Sequence, residues 1–347
     1  MKKSLLALAV SAAAFTGAAN AAEIYSSDGG SVDFYGQLRS QMEFRDSDDY
    51  SADLSTGSSR TGVNATYTVT EGFDVLGSVE LGLDTEGNDV GVRSHLFGFG
   101  TDYGTVTFGK SLISSDDVGG TDYSYFYGGT GNLYGTLNGG WNDSRIKYQL
   151  ALENWWVNAT YGLNDDSSNE DLAEAFVGAT YGDLSFHFGG GKNRVHDGVT
   201  NANLDISNTY YEATLMYNIL ENLQVSGTYY GSQLKNEDGS GKIDSNSISV
   251  GAYWTFIEKT SLYAGYEFTK GEASNVAAFA DPDADGELNN AFVGVEYMFS
   301  SWARVFAEVG YKDGETVGYA DTADNQATGP ESVDSETNFG IGARFYW

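Results

Sequence analysis

Apolar and polar residues alternate in short runs along almost the whole chain. Ile248, Val250, Ala252, Trp254 and Phe256 are apolar, with Ser247, Ser249, Gly251, Tyr253 and Thr255 between them. Ala291, Val293, Val295, Tyr297 and Phe299 repeat the pattern against Gly294 and Glu296. Ala303, Val305, Ala307 and Val309 do so against Arg304 and Glu308, and Leu262, Ala264, Tyr266 and Phe268 against Gly265 and Glu267. Successive side chains of a strand point to opposite faces, so each run has one apolar and one polar face. Sixteen strands are predicted, near 32–44, 60–69, 73–83, 93–100, 105–111, 145–152, 156–161, 173–181, 184–192, 209–219, 223–231, 245–256, 261–270, 289–299, 302–311 and 335–347. The fold class is all-β, and no linker divides it. One parity conflict stands out: facing Arg93 inward turns Phe97 inward too.

A soluble sandwich also alternates, with its apolar faces packed together. Three features favour a transmembrane antiparallel barrel. The runs are about ten residues long, enough to cross a bilayer at a tilt. Connections alternate between very short (Thr70-Glu71-Gly72, Asp102-Tyr103-Gly104, Gly182-Asp183, Ser300-Ser301) and long acidic ones. Aromatics gather near the short turns, as in Trp155-Trp156, Tyr253-Trp254 and Phe299 with Trp302, where an interfacial girdle would lie. An even strand number lets the sheet close and leaves no unpaired edge.

The first residues read as a removable secretory signal, residues 1–21: a basic Met1-Lys2-Lys3, an apolar Ser4 to Phe15, then Ala19-Asn20-Ala21 before a mature start at Ala22. The barrel then occupies residues 22–347. With no Cys there is neither a disulfide framework nor a thiolate metal site. Forty-five glycines without a three-residue period exclude collagen, and 14% aromatics argue against disorder. Two of the 18 basic residues lie in the signal, so 16 remain against 49 acids, a formal charge of −33. Such a surface repels nucleic acid and attracts cations.

Several motifs together resemble the general bacterial porin family. They are Ala22-Glu23-Ile24-Tyr25 with Val32-Asp33-Phe34-Tyr35-Gly36, then Arg93 through Gly104-Thr105-Val106-Thr107-Phe108-Gly109-Lys110, and finally Asn338-Phe339-Gly340-Ile341-Gly342-Ala343-Arg344-Phe345-Tyr346-Trp347. The resemblance spans the mature chain, nearest to porins of marine, vibrio-like bacteria. It implies a homotrimer in the outer-membrane lipid, passive diffusion of small hydrophilic solutes, and a third loop folded into the lumen. It also implies that the barrel-assembly machinery reads the C-terminal aromatic, which is Trp347 here where the family normally ends on Phe.

The third loop would run from about Leu112 to Asp143. Thr121-Asp122 and Tyr125-Phe126-Tyr127-Gly128-Gly129 resemble the family's Thr-Asp and Pro-Glu-Phe-Gly-Gly sequence. Asp122 thus takes one acidic eyelet position, Phe126 falls where the second acid is usual, and Asp116 and Asp117 are candidates to compensate. Arg60 and Arg93 match the family's wall arginines, and Arg39 joins them on the parity of Tyr35 and Gln37. Gln37 replaces a common Lys, and no residue matches the further arginine after the third loop, so a thin basic wall and a cation-preferring channel are expected. Basic groups facing acids across a gap sort solutes by charge.

Asp281, Asp283 and Asp285 are spaced like the start of an EF-hand loop. Phe292 stands where the bidentate Glu would be, so a solvated acidic loop competes with a Ca²⁺ or Mg²⁺ bridge to lipopolysaccharide phosphates. Gly189-Gly190-Gly191-Lys192 lacks the remainder of a phosphate loop. His95, His187 and His196 have no ligand spacing, and no nucleophile is paired with a base. No cofactor is expected, and the chain is not expected to be an enzyme. The rivals are an outer-membrane barrel enzyme and a sugar-type selective channel, the latter drawing on Tyr123, Tyr125, Phe126, Tyr127 and Tyr134.

Overall fold

The computed structural model describes residues 22–45, 52–84, 89–132, 137, 140–163, 171–195, 205–237, 239–276, 281–316 and 331–347. The signal segment, Tyr134 and His196 lie outside the described residues. Eighteen strand segments succeed one another among the described residues: β1 (Ala22–Ser27), β2 (Gly30–Phe44), β3 (Asp53–Ser55), β4 (Arg60–Thr70), β5 (Phe73–Asp84), β6 (Asp89–Thr101), β7 (Gly104–Leu112), β8 (Trp141–Ala151) and β9 (Trp155–Gly162), followed by β10 (Asp171–Tyr181), β11 (Leu184–Val195), β12 (Ile206–Leu220), β13 (Leu223–Asn236), β14 (Lys242–Ile257), β15 (Thr260–Ser274), β16 (Asp285–Ser300), β17 (Ala303–Thr316) and β18 (Glu331–Tyr346). One short helix, α1 (Ser114–Val118), follows β7.

Every segment from β4 to β18 pairs antiparallel with the next, and β18 and β4 both pair with β2, which closes the ring. On one edge of β2, β18 covers residues 37–44 and β1 covers 30–34. On the other, β4 covers 30–37 and β3 covers 41–43. β1 therefore prolongs the line of β18, and β3 that of β4, so eighteen segments make sixteen staves. Closure removes the unpaired amides that would each cost several kcal/mol in hydrocarbon.

Burial is inverted relative to a soluble protein. On β16, Val293 is 53% exposed, whereas Glu296 is 2% exposed; on β17, Val309 is 40% exposed and Glu308 1%. The apolar face points outward over the whole wall, an area far beyond what a soluble monomer leaves in water. The polar face lines the interior. Trp302 stacks edge-on against Phe345, and Tyr297 against Phe299, beside the short turns where the girdle was expected.

All sixteen predicted strands are present, and several run further. β14 starts at Lys242 and β15 continues to Ser274. These extensions carry the ion pairs Lys242–Asp244 and Lys270–Glu272 in place of apolar alternation, so the period-2 signal fades while the hydrogen-bonded ladder continues. The parity conflict at Arg93 also has a cause. Glu80 pairs with Ser94 and Leu81 with Val92, which leaves Arg93 as the extra residue of a β-bulge. A bulge shifts the alternation by one, so Arg93 and Ser94 are covered while Phe97 turns out and is 49% exposed.

Candidate pore constriction

The segment from Ile113 to Asn132 is fastened to the polar faces of β9 to β18 by side chains that the sequence scatters over 150 residues. Three buried carboxylates each accept two backbone N–H groups. Glu174 on β10 accepts Ser114 N and Ser115 N, the open N-terminus of α1, and also the Tyr210 hydroxyl at 2.7 Å. Glu308 on β17 accepts Tyr125 N at 2.7 Å and Tyr127 N at 2.8 Å. Glu267 on β15 accepts Gly129 N and Thr130 N, both at 2.9 Å. Between these anchors, Thr121 N donates to Thr228 Oγ1 at 2.9 Å and the Tyr123 hydroxyl donates to Gln224 at 2.8 Å. Hydrogen bonds to ionised acceptors are about twice as strong as neutral ones. A five-residue helix and an irregular strap thus need little internal structure.

The aromatics of this segment are seated on the wall. Tyr125 stacks on Phe306 with centroids 3.9 Å apart, and Phe126 lies 5.5 Å from Phe306. Phe126 also occupies the space above Gly340, where a Cβ would come within 2.6 Å of its ring. Tyr123 lies 5.9 Å from Tyr253. These rings pack the segment against β14, β15, β17 and β18 instead of forming a free track for sugar rings.

The wall of β2 and β4 to β8 receives none of the three carboxylate anchors and carries the three sequence-predicted arginines. Arg60 and Arg93 share Glu80, at 3.4 and 3.0 Å, and Arg93 also lies 4.8 Å over the Trp141 ring. Arg39 donates to Gln37 at 3.0 Å. The expectation of a thin basic wall is corrected here. Arg145 and Lys147 on β8 are buried and face the same interior; Lys147 pairs with Asp117 and donates to Leu112 O, while Arg145 donates to Thr107 at 3.1 Å. Arg304 and Arg344 add two more on β17 and β18, in direct register with each other and with Arg39. The alternation of Arg145, Lys147 and Gln149 against Ile146, Tyr148 and Leu150 signals the first pair in the sequence. Register across three staves is what reveals the second.

Asp117 is thus engaged with Lys147, and Gln149 donates to it at 3.4 Å. Asp122 is exposed and accepts Ser124 N at 2.8 Å. Asp116 is half-buried; burial first, and Asp117 second, push its carboxyl up to about 6. Ordinary carboxylates titrate near 4, so between pH 7 and pH 5 Asp116 loses most of its charge. The reversal potential in a KCl gradient is therefore expected to move toward anions from pH 7 to pH 5. In Asp116→Asn that movement should be largely absent.

The other candidates separate clearly. Asp281, Asp283 and Asp285 are exposed; Asp281 accepts Asp283 N at 3.2 Å, and Asp283 accepts Asn275 N at 2.9 Å. Among the described residues no three His, Asp or Glu side chains gather to hold a metal ion, because Asp285 already belongs to the β16 ladder opposite Glu272. His187 bonds Glu212 at 2.8 Å, and His95 faces outward. Trp347 is zipped to Gly36 by two backbone hydrogen bonds, 3.0 and 3.1 Å, with its ring laid over that glycine.

A closed sixteen-stave barrel with an apolar exterior and a polar, charge-lined interior defines a bacterial outer-membrane pore protein. Residues 7–317 match the Gram-negative porin family, and the chain belongs to it. It is similar to OmpT, an outer membrane protein of Vibrio cholerae, with 43% identity and a TM-score of 0.84, covering 94% of this chain and all of that one. A trimer form of the same Vibrio cholerae protein matches at 42% identity and a TM-score of 0.82 over 92% of this chain and all of that one. The major outer membrane protein of Pasteurella multocida (strain Pm70) is 28% identical over 94% of this chain and 97% of its own length.

Proposed function

We propose that this protein is a general diffusion channel of the outer membrane, made as a secreted precursor and assembled as a homotrimer. The third loop lies inside the lumen and leaves an aperture against β2 and β4 to β7 for ions and small hydrophilic solutes. The observation that carries this reading is the set of hydrogen bonds from residues 114–130 to the polar faces of β10, β13, β15 and β17. A strap that bonds to four such faces of a closed barrel supports a place within it. The trimer form of the similar Vibrio cholerae protein supports the oligomeric state. No step of such transport needs a reacting group.

Charge sorting has two opposed sources. The acidic mouth, part of a mature charge of −33, concentrates cations. The aperture is locally basic, since Glu80 is shared by two arginines and Asp117 is taken up by Lys147. Mouth charges act through solvent and are screened with a Debye length of about 30 Å at 0.01 M salt and about 3 Å at 1 M. Cation preference is therefore expected at low ionic strength, falling away as salt rises. Reversal potentials in KCl gradients centred on 10 mM and on 1 M measure this, and anion preference at 10 mM would contradict it.

A further inference from the structure

The aperture's arginines are unevenly neutralised. Arg60 and Arg93 have Glu80, and Arg304 has Glu296 at 3.3 Å together with the Tyr125 hydroxyl at 2.9 Å. Between them, Arg39 and Arg344 have no carboxylate within ion-pair distance among the described residues. Arg344 pairs directly with Arg304 on one side and with Arg39 on the other. Arg60, opposite Gln37, is the diagonal neighbour of Arg39 on the next stave. Directly opposed residues of an antiparallel pair have Cα atoms about 4.5–5.5 Å apart, and like charges so placed repel.

The pair is held in place without being satisfied. Arg39 is fixed by its side-chain bond to Gln37 and by its backbone N–H to Ser59 Oγ at 2.9 Å. The Arg344 guanidinium lies 4.4 Å over the Tyr125 ring and 5.3 Å from Phe306, and its buried Nε has no hydrogen-bond partner. Stacking on an aromatic face fixes a guanidinium while leaving its in-plane donors free for an acceptor. Both arginines remain partly exposed, so a solute inside the barrel can reach them.

We propose that Arg39 and Arg344, flanked by Arg304 and Arg60, form a transient subsite for the oxyanion group of a passing solute, a carboxylate or a phosphate. The forked donors of two arginines match the planar geometry of a carboxylate bidentately. The acidic residues of the mouth slow the entry of such solutes, and the subsite holds those that pass it. This inference rests on the pore reading above and adds a preferred chemical class to it. It differs from the sequence-predicted eyelet, because Arg304 and Arg344 come from the last two staves and only register brings them beside Arg39.

The test is single-channel recording of the full-length folded protein in 0.1 M KCl, with succinate, inorganic phosphate or neutral succinamide added to one side. Succinate and phosphate should interrupt the current in a concentration-dependent way, and succinamide should not. A stronger effect of succinate would assign the site to carboxylates, and of phosphate to phosphoryl groups. Arg39→Gln/Arg344→Gln should raise the blocking concentration at least tenfold, whereas Arg194→Gln, a basic residue of β11 paired with Asp205 away from the constriction, should shift it less than threefold. Arg39→Lys/Arg344→Lys, which keeps the charge and removes the fork, should fall between. Open-channel conductance in KCl alone certifies that each variant has folded. Conducting wild-type channels that succinate and succinamide affect equally would overturn the subsite and leave the pore reading intact. Absence of any conductance from folded wild-type protein would remove both.

Discussion

Glu267→Ala/Glu308→Ala is expected to give channels of clearly higher and noisier conductance than the wild type. These two carboxylates accept the backbone N–H groups of Tyr125, Tyr127, Gly129 and Thr130. Removing them leaves four donors without protein partners and frees the Tyr263 hydroxyl, which Glu308 accepts at 3.0 Å. Each hydrogen bond to a charged group contributes about 1.5–3 kcal/mol in a dry setting. Water entering the lumen returns much of this, so the net loss of attachment is about 3 kcal/mol. The barrel ladder is untouched, so the folded fraction should hold while the strap swings. Gln at both positions should be milder, because its amide oxygen still accepts. Unchanged conductance and noise in the double Ala variant would show that the strap is held by something else.

A second large effect is expected at the seam where the chain's two ends meet. Gly36 faces the Trp347 ring, and any Cβ there would overlap the ring and come within 2.9 Å of Arg60 O. Gly36→Val should therefore unseat Trp347, the residue that follows β18, and with it the closing stave. Overpacking of this kind costs about 1–3 kcal/mol, and the lost backbone pairing with Gly36 adds to it. Loss of the compact, heat-modifiable form on unheated gels is the expected readout. Trp347→Phe, with a smaller ring, should partly restore Gly36→Ala. A Gly36→Val protein that closes as well as the wild type would mean that the terminal ring does not seat there. The Trp347 ring is thus matched by a residue with no side chain opposite it.

The barrel was legible in the sequence because a strand's two faces meet different media, and period-2 alternation records that difference directly. The medium outside was legible from the girdle, since Phe299 and Trp302 at a short turn make little sense in a sandwich. What lies beyond the hydrocarbon was not, because the ladder of β14 or β17 continues there on polar residues. β1 and β3 are too short to show a period and exist as extensions of β18 and β4. On the inner face of the wall, Arg39, Arg60 and Arg93 were readable from parity and resemblance, and the misfit of Phe97 was the trace of the bulge at Arg93. Glu174, Glu267 and Glu308 each appear as one charged residue on a polar face, and their role depends on which strap crosses them. Arg304 and Arg344 lie on the inward parity of Glu296 and Glu308, yet their line with Arg39 is a property of register, which no single strand encodes.

The absence of cysteine allows a direct measurement of whether solutes pass between the third loop and the wall of β2 and β4 to β7. Arg39→Cys and Thr228→Cys can each be treated, in open channels, with a bulky water-soluble methanethiosulfonate while the current is recorded. Position 39 should react quickly and cut the conductance by more than half, whereas position 228, buried beneath Thr121, should stay unmodified. Rapid block at 228 with no effect at 39 would place the aperture on the other side of the loop and contradict the account.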